Sequence, residues 1–271
     1  MEILEPGAVP VLEAVEWRER APGGGSESQV FRLTDNRFAI VKFPENKQGE
    51  RVLVNELLAC SLAEHLGLPV NIARLISIDE RTIQAPRKAR QIPENFSAGI
   101  RCGMIRFENN EVCNEATIRQ KCDNAHELDS VALFERLVGR GDGRQLLMYP
   151  APGAKGNRFA AFDYGFAFGG QPIWTEDSIS KLGDPALPDT NPFGEKYKDG
   201  SELRGIVELM RKLSVSDVEK SLARLYAPRW GATLSEVQAL LRIIDARAKK
   251  LVELFDEAYQ LKQIEIPANV Q

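Results

Sequence analysis

One change of hydrophobic period near the start of the chain constrains its fold more than any other feature. Gln29-Val30-Phe31-Arg32-Leu33 reads as a strand, Asp35-Asn36 as a turn, and Phe38-Ala39-Ile40-Val41-Lys42-Phe43 as a second strand. Leu53, Leu57, Leu58, Leu62 and Leu66 then recur at helical spacing, and Gly67 ends that run. A hairpin followed at once by a helix needs further strands to form a stable layer. Pro69-Val70 to Ile78 supplies another extended segment, and Gly99 to Phe107 is the best later candidate in a stretch, Thr82 to Asn124, that promises short strands at best.

Beyond that stretch the pattern turns helical. Leu128 to Val138 carries one apolar face, and Gly139-Arg140-Gly141-Asp142-Gly143 breaks it. Leu146 to Tyr149 and Arg158 to Phe162 read as short strands around a Pro/Gly loop, and Tyr164 to Gly200 is loop-like. Thr233-Leu234-Ser235-Glu236 fits a capping box ahead of a long helix with Val237, Leu240, Leu241, Ile244, Leu251, Leu254, Phe255 and Ala258 on one face. The expected class is α+β, with a β-rich part over 1–108 and a helical part over 109–271 interrupted by one hairpin. A lone hairpin among helices makes sense if its ends present residues to a site.

Five features can carry phosphoryl-transfer chemistry, which needs a phosphate-covering loop, a held lysine, carboxylates for a metal and an acid that positions the nucleophile. Gly23-Gly24-Gly25-Ser26 lies between extended segments and can free backbone N–H groups; a plain flexible connector has the same composition. Lys42 shares a strand face with Phe38 and Ile40, and a lysine on an apolar face needs an anion, unless it is the solvated end of an edge strand. Glu56 borders the buried face of the next helix, beside Leu53 and Cys60, and could hold Lys42 in place. Asp142 in its glycine-flanked break and Asp163 in Phe162-Asp163-Tyr164-Gly165 flank the second hairpin, although a turn aspartate also satisfies its own backbone.

The 271 residues, 43% hydrophobic and 27% charged, allow one large domain or two small ones. A net charge of −4 gives no basic excess, so direct nucleic-acid binding is not expected. No apolar run can span a bilayer, and Met1-Glu2-Ile3-Leu4-Glu5-Pro6 is not a secretion signal, so no membrane partner and a cytoplasmic location are expected. Cys60, Cys102, Cys113 and Cys122 form no C-x-x-C pair, and His65 and His126 are the only imidazoles. A zinc site is not expected, the thiols are expected to be free and mostly buried, and the histidines are read as surface or core residues.

Ala39-Ile40-Val41-Lys42 is similar to the strand motif that carries the kinase lysine. More narrowly, the chain resembles the HipA-like kinases of bacteria. The resemblance is carried by Val41-Lys42-Phe43, by Leu53-Val54-Asn55-Glu56-Leu57-Leu58-Ala59 and by Ala63-Glu64-His65-Leu66-Gly67-Leu68-Pro69-Val70. Phe162-Asp163-Tyr164-Gly165-Phe166-Ala167-Phe168 and the C-terminal helices with Pro228 and Trp230 extend it. It implies a bilobal protein-kinase-like fold that uses ATP and Mg²⁺. It also implies that Lys42 contacts phosphates and pairs with Glu56, that Gly24, Gly25 and Ser26 cover the phosphates, that Asp163 binds the metal and that Asp142 orients an acceptor hydroxyl.

The implied acceptor is Ser or Thr of a protein substrate, with an antitoxin-like partner. The sequence departs from the family where Arg144 stands in place of a histidine and Gln145 is the only amide near enough to serve as a second metal ligand. Two other readings stay open: a pseudokinase that acts by binding a nucleotide or a protein, and a kinase for a small molecule. Ser26 and Ser28 are possible self-modification sites.

Overall fold

The computed structural model describes residues 11–23, 25–151, 156–169, 174–180, 182, 185, 201–213 and 230–264. Gly24, Pro228 and the Met1–Pro6 start, which figure in the sequence reading, lie outside the described residues, as do most positions between 170 and 200.

The first part forms strands β1 (Val11–Arg20), β2 (Gln29–Leu33), β3 (Phe38–Lys42), β4 (Ala73–Ile78) and β5 (Gly99–Ile105), with helix α1 (Arg51–His65) between β3 and β4 and α2 (Glu80–Lys88) between β4 and β5. The strands close into a barrel in the order β1-β2-β3-β5-β4, with β4 returning to β1 in parallel. The expected hairpin is β2–β3, in register Phe31 opposite Ala39, and Asn36 at its turn has φ +65°. Two breaks in the β1 register, between Ala14 and Glu16 and between Trp17 and Glu19, bend that strand around β2. α2, which the sequence pattern did not predict, begins at Asp79, whose carboxylate accepts from the Thr82 N–H at 3.0 Å.

Period-two alternation sorts β3 cleanly. Ala39, Val41 and Phe43 fill the barrel interior with Phe31, Leu33, Ile76 and Ile78, and Phe96 stacks on Phe43 at 4.4 Å. Ile40 and Lys42 therefore face outward, toward a cleft. Close packing is enforced at Gly103 on β5, where a Cβ would come within 2.9 Å of Ile76 and 3.1 Å of the Ile40 carbonyl.

α1 is buried without a break from Val52 to Cys60, as a helix between two layers must be. One side meets Leu75, Cys102 and Met104 of the barrel, and the other joins a core built by the later helices. Each of Leu53, Leu57, Leu58 and Leu62 contributes roughly 1.5–3 kcal/mol by burial, so α1 is a fixed reference for whatever it carries.

The second part contains β6 (Glu111–Cys113), α3 (Glu115–Lys121), a short 3₁₀ turn (Ala125–Glu127), α4 (Leu128–Leu137), β7 (Gln145–Pro150) and β8 (Asn157–Phe162). The sequence pattern suggested a lone hairpin here; instead β6 pairs with β7 and extends the β7–β8 hairpin into a three-stranded sheet. Helices α5 (Glu176–Ser180), α6 (Ser201–Arg211) and α7 (Leu234–Ile264) follow, and α7 packs on α4, α5 and α6.

The capping box at the start of α7 is formed in both directions. The Thr233 N–H donates to Glu236 Oε2 at 2.8 Å, and the Glu236 N–H donates to Thr233 Oγ1 at 3.2 Å. Glu236 also accepts from Arg51 at 3.1 Å, which ties the start of α1 to the start of α7. Among the described residues no helix is long and apolar enough to cross a membrane.

Candidate active site

Lys42 ends β3 with its side chain only 5% exposed. Its ammonium donates to Glu56 Oε2 on α1 at 2.6 Å and to Asp163 Oδ1 after β8 at 2.5 Å. The other Glu56 oxygen, Oε1, accepts from the Tyr164 N–H at 3.0 Å. One lysine thus gathers three segments that are far apart in sequence.

The charges explain the protonation tendencies. Burial alone would lower the Lys42 pKa, but the Glu56 and Asp163 carboxylates outweigh it and hold the ammonium protonated well above its ordinary range. Burial pushes the Glu56 carboxyl up against the pull of Lys42. At Asp163 burial also acts upward, but the Lys42 charge and hydrogen bond prevail and hold the carboxyl below its usual range. Two carboxylates against one ammonium leave an excess of negative charge in a poorly solvated place, a standing attraction for a cation.

Asp163 sits in the left-handed region at φ +60°, which is unusual for a residue with a side chain and costs on the order of 1 kcal/mol. The segment after it is fastened to α1. Asn55 Nδ2 donates to the carbonyls of Gly165 at 2.8 Å and Ala167 at 3.3 Å, while Asn55 Oδ1 accepts from Trp174 Nε1 at 2.6 Å. Gly165 is required by the packing: a Cβ there would lie 2.8 Å from Val52 and 3.4 Å from the Lys42 ammonium. Gln145, at the start of β7, donates from Nε2 to Asp163 Oδ2 at 3.3 Å.

Asp142 occupies the loop between α4 and β7, where Gly139 has φ +60° and the Gly141 N–H donates to the Phe166 carbonyl at 3.0 Å. Its carboxylate accepts from Arg140 Nε at 2.9 Å. Arg140, which the sequence pattern did not single out, is the hub of this loop. Its NH1 donates to Glu135 Oε1 at 3.2 Å and to the Phe162 carbonyl at 3.3 Å, and its NH2 donates to the Asp163 carbonyl at 3.1 Å. The guanidinium lies 5.0 Å over the Tyr164 ring. Arg144, the residue in the place of the expected histidine, donates to Glu135 Oε2 at 2.6 Å and to Glu115. The end of α4 that leads into the loop is held from α7, where Arg247 donates to the carbonyls of Leu137 at 2.8 Å and Arg136 at 2.6 Å.

A cavity of about 190 Å³ opens between the barrel and the second sheet, and Gly23, Ser26, Lys42, Gln145 and Asp163 line it together with the apolar Ile40, Met104, Leu147 and Phe162. Glu56 stands behind Lys42, and Gly25 and Asp142 are not among the lining residues. A more open groove of about 740 Å³ continues from it past Pro22, Arg106, Phe107 and Asn110. Ser26 and Ser28 are both buried and hydrogen-bonded to each other at 2.9 Å.

All four cysteines are free; Cys60, Cys102 and Cys122 are buried and Cys113 is half-buried. His65 and His126 are exposed. Among the described residues no group of three or more His, Cys, Asp or Glu could by itself hold a metal.

No protein-family model matches the chain, and no curated protein sequence matches it. Among solved structures it is similar to the Helicobacter pylori proinflammatory kinase CtkA, at 12% identity and a TM-score of 0.51, over 95% of this chain and 99% of that one. The Golgi casein kinase is a weaker likeness, at 11% identity and a TM-score of 0.49, over 93% of this chain and 75% of that one. A second structure of that kinase, with Mn/ADP bound, gives 10% identity and a TM-score of 0.41, over 93% of this chain and 74% of that one. The CtkA likeness spans nearly all of both chains, and the chain has a kinase-like fold of mixed α and β structure.

Proposed function

We propose that the chain is an ATP- and Mg²⁺-dependent kinase of the HipA-like type that phosphorylates Ser or Thr of a protein. In this reading residues 1–108 and 109–271 act as two lobes and the nucleotide lies in the cleft between them. The observation that carries the proposal is Lys42 between Glu56 and Asp163, at 2.6 and 2.5 Å. A lysine held by a helix glutamate, beside an acid that leaves a strand into a glycine turn, is what positioning a polyphosphate and its metal requires.

Each residue then has a task. Glu56 holds the ammonium, and Lys42 meets phosphate oxygens. Gly24, Gly25 and Ser26 cover the phosphates. Asp163 and the carbonyl of Gln145 offer the metal hard oxygen donors. A donor set of one carboxylate and one amide carbonyl suits Mg²⁺, which takes few protein ligands and keeps water and phosphate oxygens as the rest. When bound, the metal neutralises charge on the phosphates. Asp142 accepts the proton of the attacking hydroxyl. The free, mostly buried cysteines fit a reducing, cytoplasmic setting, and a protein partner of the antitoxin kind fits the family resemblance.

The test is calorimetric titration with a non-hydrolysable ATP analogue, with and without Mg²⁺, beside Lys42→Ala and Asp163→Ala. Mg²⁺-dependent binding lost in both variants is expected; folded protein that binds no nucleotide ends the proposal. Mass spectrometry of candidate acceptors separates a protein substrate from a small molecule.

A pseudokinase is the second reading, and one observation favours it. The Asp142 carboxylate is engaged by Arg140, and Arg144 is committed to Glu135 and Glu115. ATP turnover abolished by Asp142→Asn would remove that reading.

A further inference from the structure

The geometry points to Arg140 as the positioning residue that fixes the spacing between Asp142 and Asp163, an inference that rests on the kinase reading. A guanidinium is planar and rigid, so groups bonded to its different nitrogens have a set separation. Asp142 bonds Nε at 2.9 Å, and the Asp163 carbonyl bonds NH2 of the same plane at 3.1 Å. NH1 fixes the plane through the Phe162 carbonyl at 3.3 Å and Glu135 at 3.2 Å, and the Tyr164 ring lies against its face. With the side chain 2% exposed, water does not compete for these donors.

Two features set this apart from general packing. Among the described residues the Asp142 carboxylate has no other hydrogen-bond partner, so its direction depends on Arg140 alone. Only one of its oxygens is engaged, which leaves the other to accept from a hydroxyl. Two of the Arg140 partners are main-chain carbonyls at the end of β8, so the bond to Asp142 refers the candidate base to the same strand end that carries the candidate metal ligand. A lysine at this position would keep the charge but could not span these partners at once.

The experiment uses the full chain with Arg140→Lys and Arg140→Ala, the former guarding against loss of fold in the latter. Its first arm needs no turnover. Amide hydrogen exchange without nucleotide is compared in peptides covering 139–143 and 162–166. The expected result for Arg140→Lys is faster exchange, by about tenfold, in both segments together, with α7 unchanged. Unchanged exchange in either segment overturns the inference.

The second arm is steady-state kinetics. Turnover is expected to fall by about two orders of magnitude in Arg140→Ala and about one in Arg140→Lys, while KM for ATP and the affinity for Mg²⁺-nucleotide stay within about threefold. Unchanged turnover, or a loss seen only in KM, overturns the positioning role. A wild-type protein with no ATP turnover contradicts the kinase reading, and the exchange arm then decides whether Arg140 couples the two segments.

Discussion

Two buried cations organise the candidate site, and the difference lies in their partners. Lys42 holds only side-chain carboxylates, Glu56 and Asp163. Arg140 holds two carboxylates, Glu135 and Asp142, but also two main-chain carbonyls. A phosphate or a metal ion can compete for the first set, because an ammonium on a flexible stem can turn from one anion to another. The main-chain carbonyls of the second set are held by the backbone at the end of β8 and cannot swing away as a side chain can. Under the proposed kinase reading the lysine cluster exchanges partners with a ligand, whereas the arginine cluster stays. One excess negative charge marks the first, whereas the second shares Glu135 between Arg140 and Arg144.

The largest expected effect comes from emptying the exchangeable cluster. Lys42→Ala leaves Glu56 and Asp163 facing each other in a buried place. Removing one partner of a buried ion pair costs about 3–5 kcal/mol, read as a lower denaturation midpoint in urea. Turnover is expected to fall by at least about two orders of magnitude, with affinity for the ATP analogue lost. Asp163→Asn comes next and separates function from stability. It removes the excess negative charge and leaves Lys42 with Glu56 as a balanced pair. Turnover and Mg²⁺ dependence should disappear while the thermal midpoint stays within a few degrees of wild type, roughly what a change under 1 kcal/mol produces. If Asp163→Asn unfolds as readily as Lys42→Ala, Asp163 is a structural partner of Lys42 and the contrast between the clusters fails.

The same contrast governs what the sequence could reveal. Lys42 and Glu56 were legible because each breaks a clean pattern, a charge on the otherwise apolar Phe38–Ile40 face of an alternating strand and a charge within a leucine-rich helix. Asp163 was legible because it leaves an apolar strand into a glycine turn. Arg140 was not, since a local run of glycines and charges gives no periodicity against which it stands out. Its signal was Arg-x-Asp in a glycine-flanked break five residues after a helical Glu135, which becomes meaningful only once β8 lies alongside.

β1 and α2 escaped for related reasons. β1 buries only Ala14 fully and its register breaks twice, so period two is lost. α2 contains Pro86 and buries only Ile83 and Pro86. The barrel follows from hairpin and helix signals in part, but its closure depends on the parallel pairing of β4 with β1, across about 60 residues, which no local pattern encodes.

Glu135→Gln probes the permanent cluster from its other end. Burial pushes the Glu135 carboxyl up, while Arg144 and Arg140 pull against that. The amide keeps the shape and removes the charge between two guanidiniums, so about 2 kcal/mol of stability should be lost. Affinity for the ATP analogue should be unchanged, because neither arginine lines the cavity proposed to take the nucleotide. A loss of nucleotide affinity without loss of stability would assign Glu135 to the exchangeable cluster and break the comparison.

Gln145 has the smallest expected effect and the sharpest discrimination. It bonds Asp163 through one amide N–H at 3.3 Å, a long contact that contributes little to the fold. Gln145→Ala should leave the thermal midpoint unmoved and raise the Mg²⁺ concentration for half-maximal turnover by about tenfold, whether the amide ligates the metal or only orients Asp163. Gln145→Glu separates the two roles. As a direct ligand a carboxylate replaces the amide carbonyl and tightens the Mg²⁺ requirement. As an orienting donor it has no N–H to offer, and its added negative charge offsets only part of that loss, so the requirement stays weaker than wild type but no weaker than in Gln145→Ala. The sign of that one change, measured in Mg²⁺ titrations of turnover at fixed ATP, decides whether the exchangeable cluster ends at Asp163 or extends to β7.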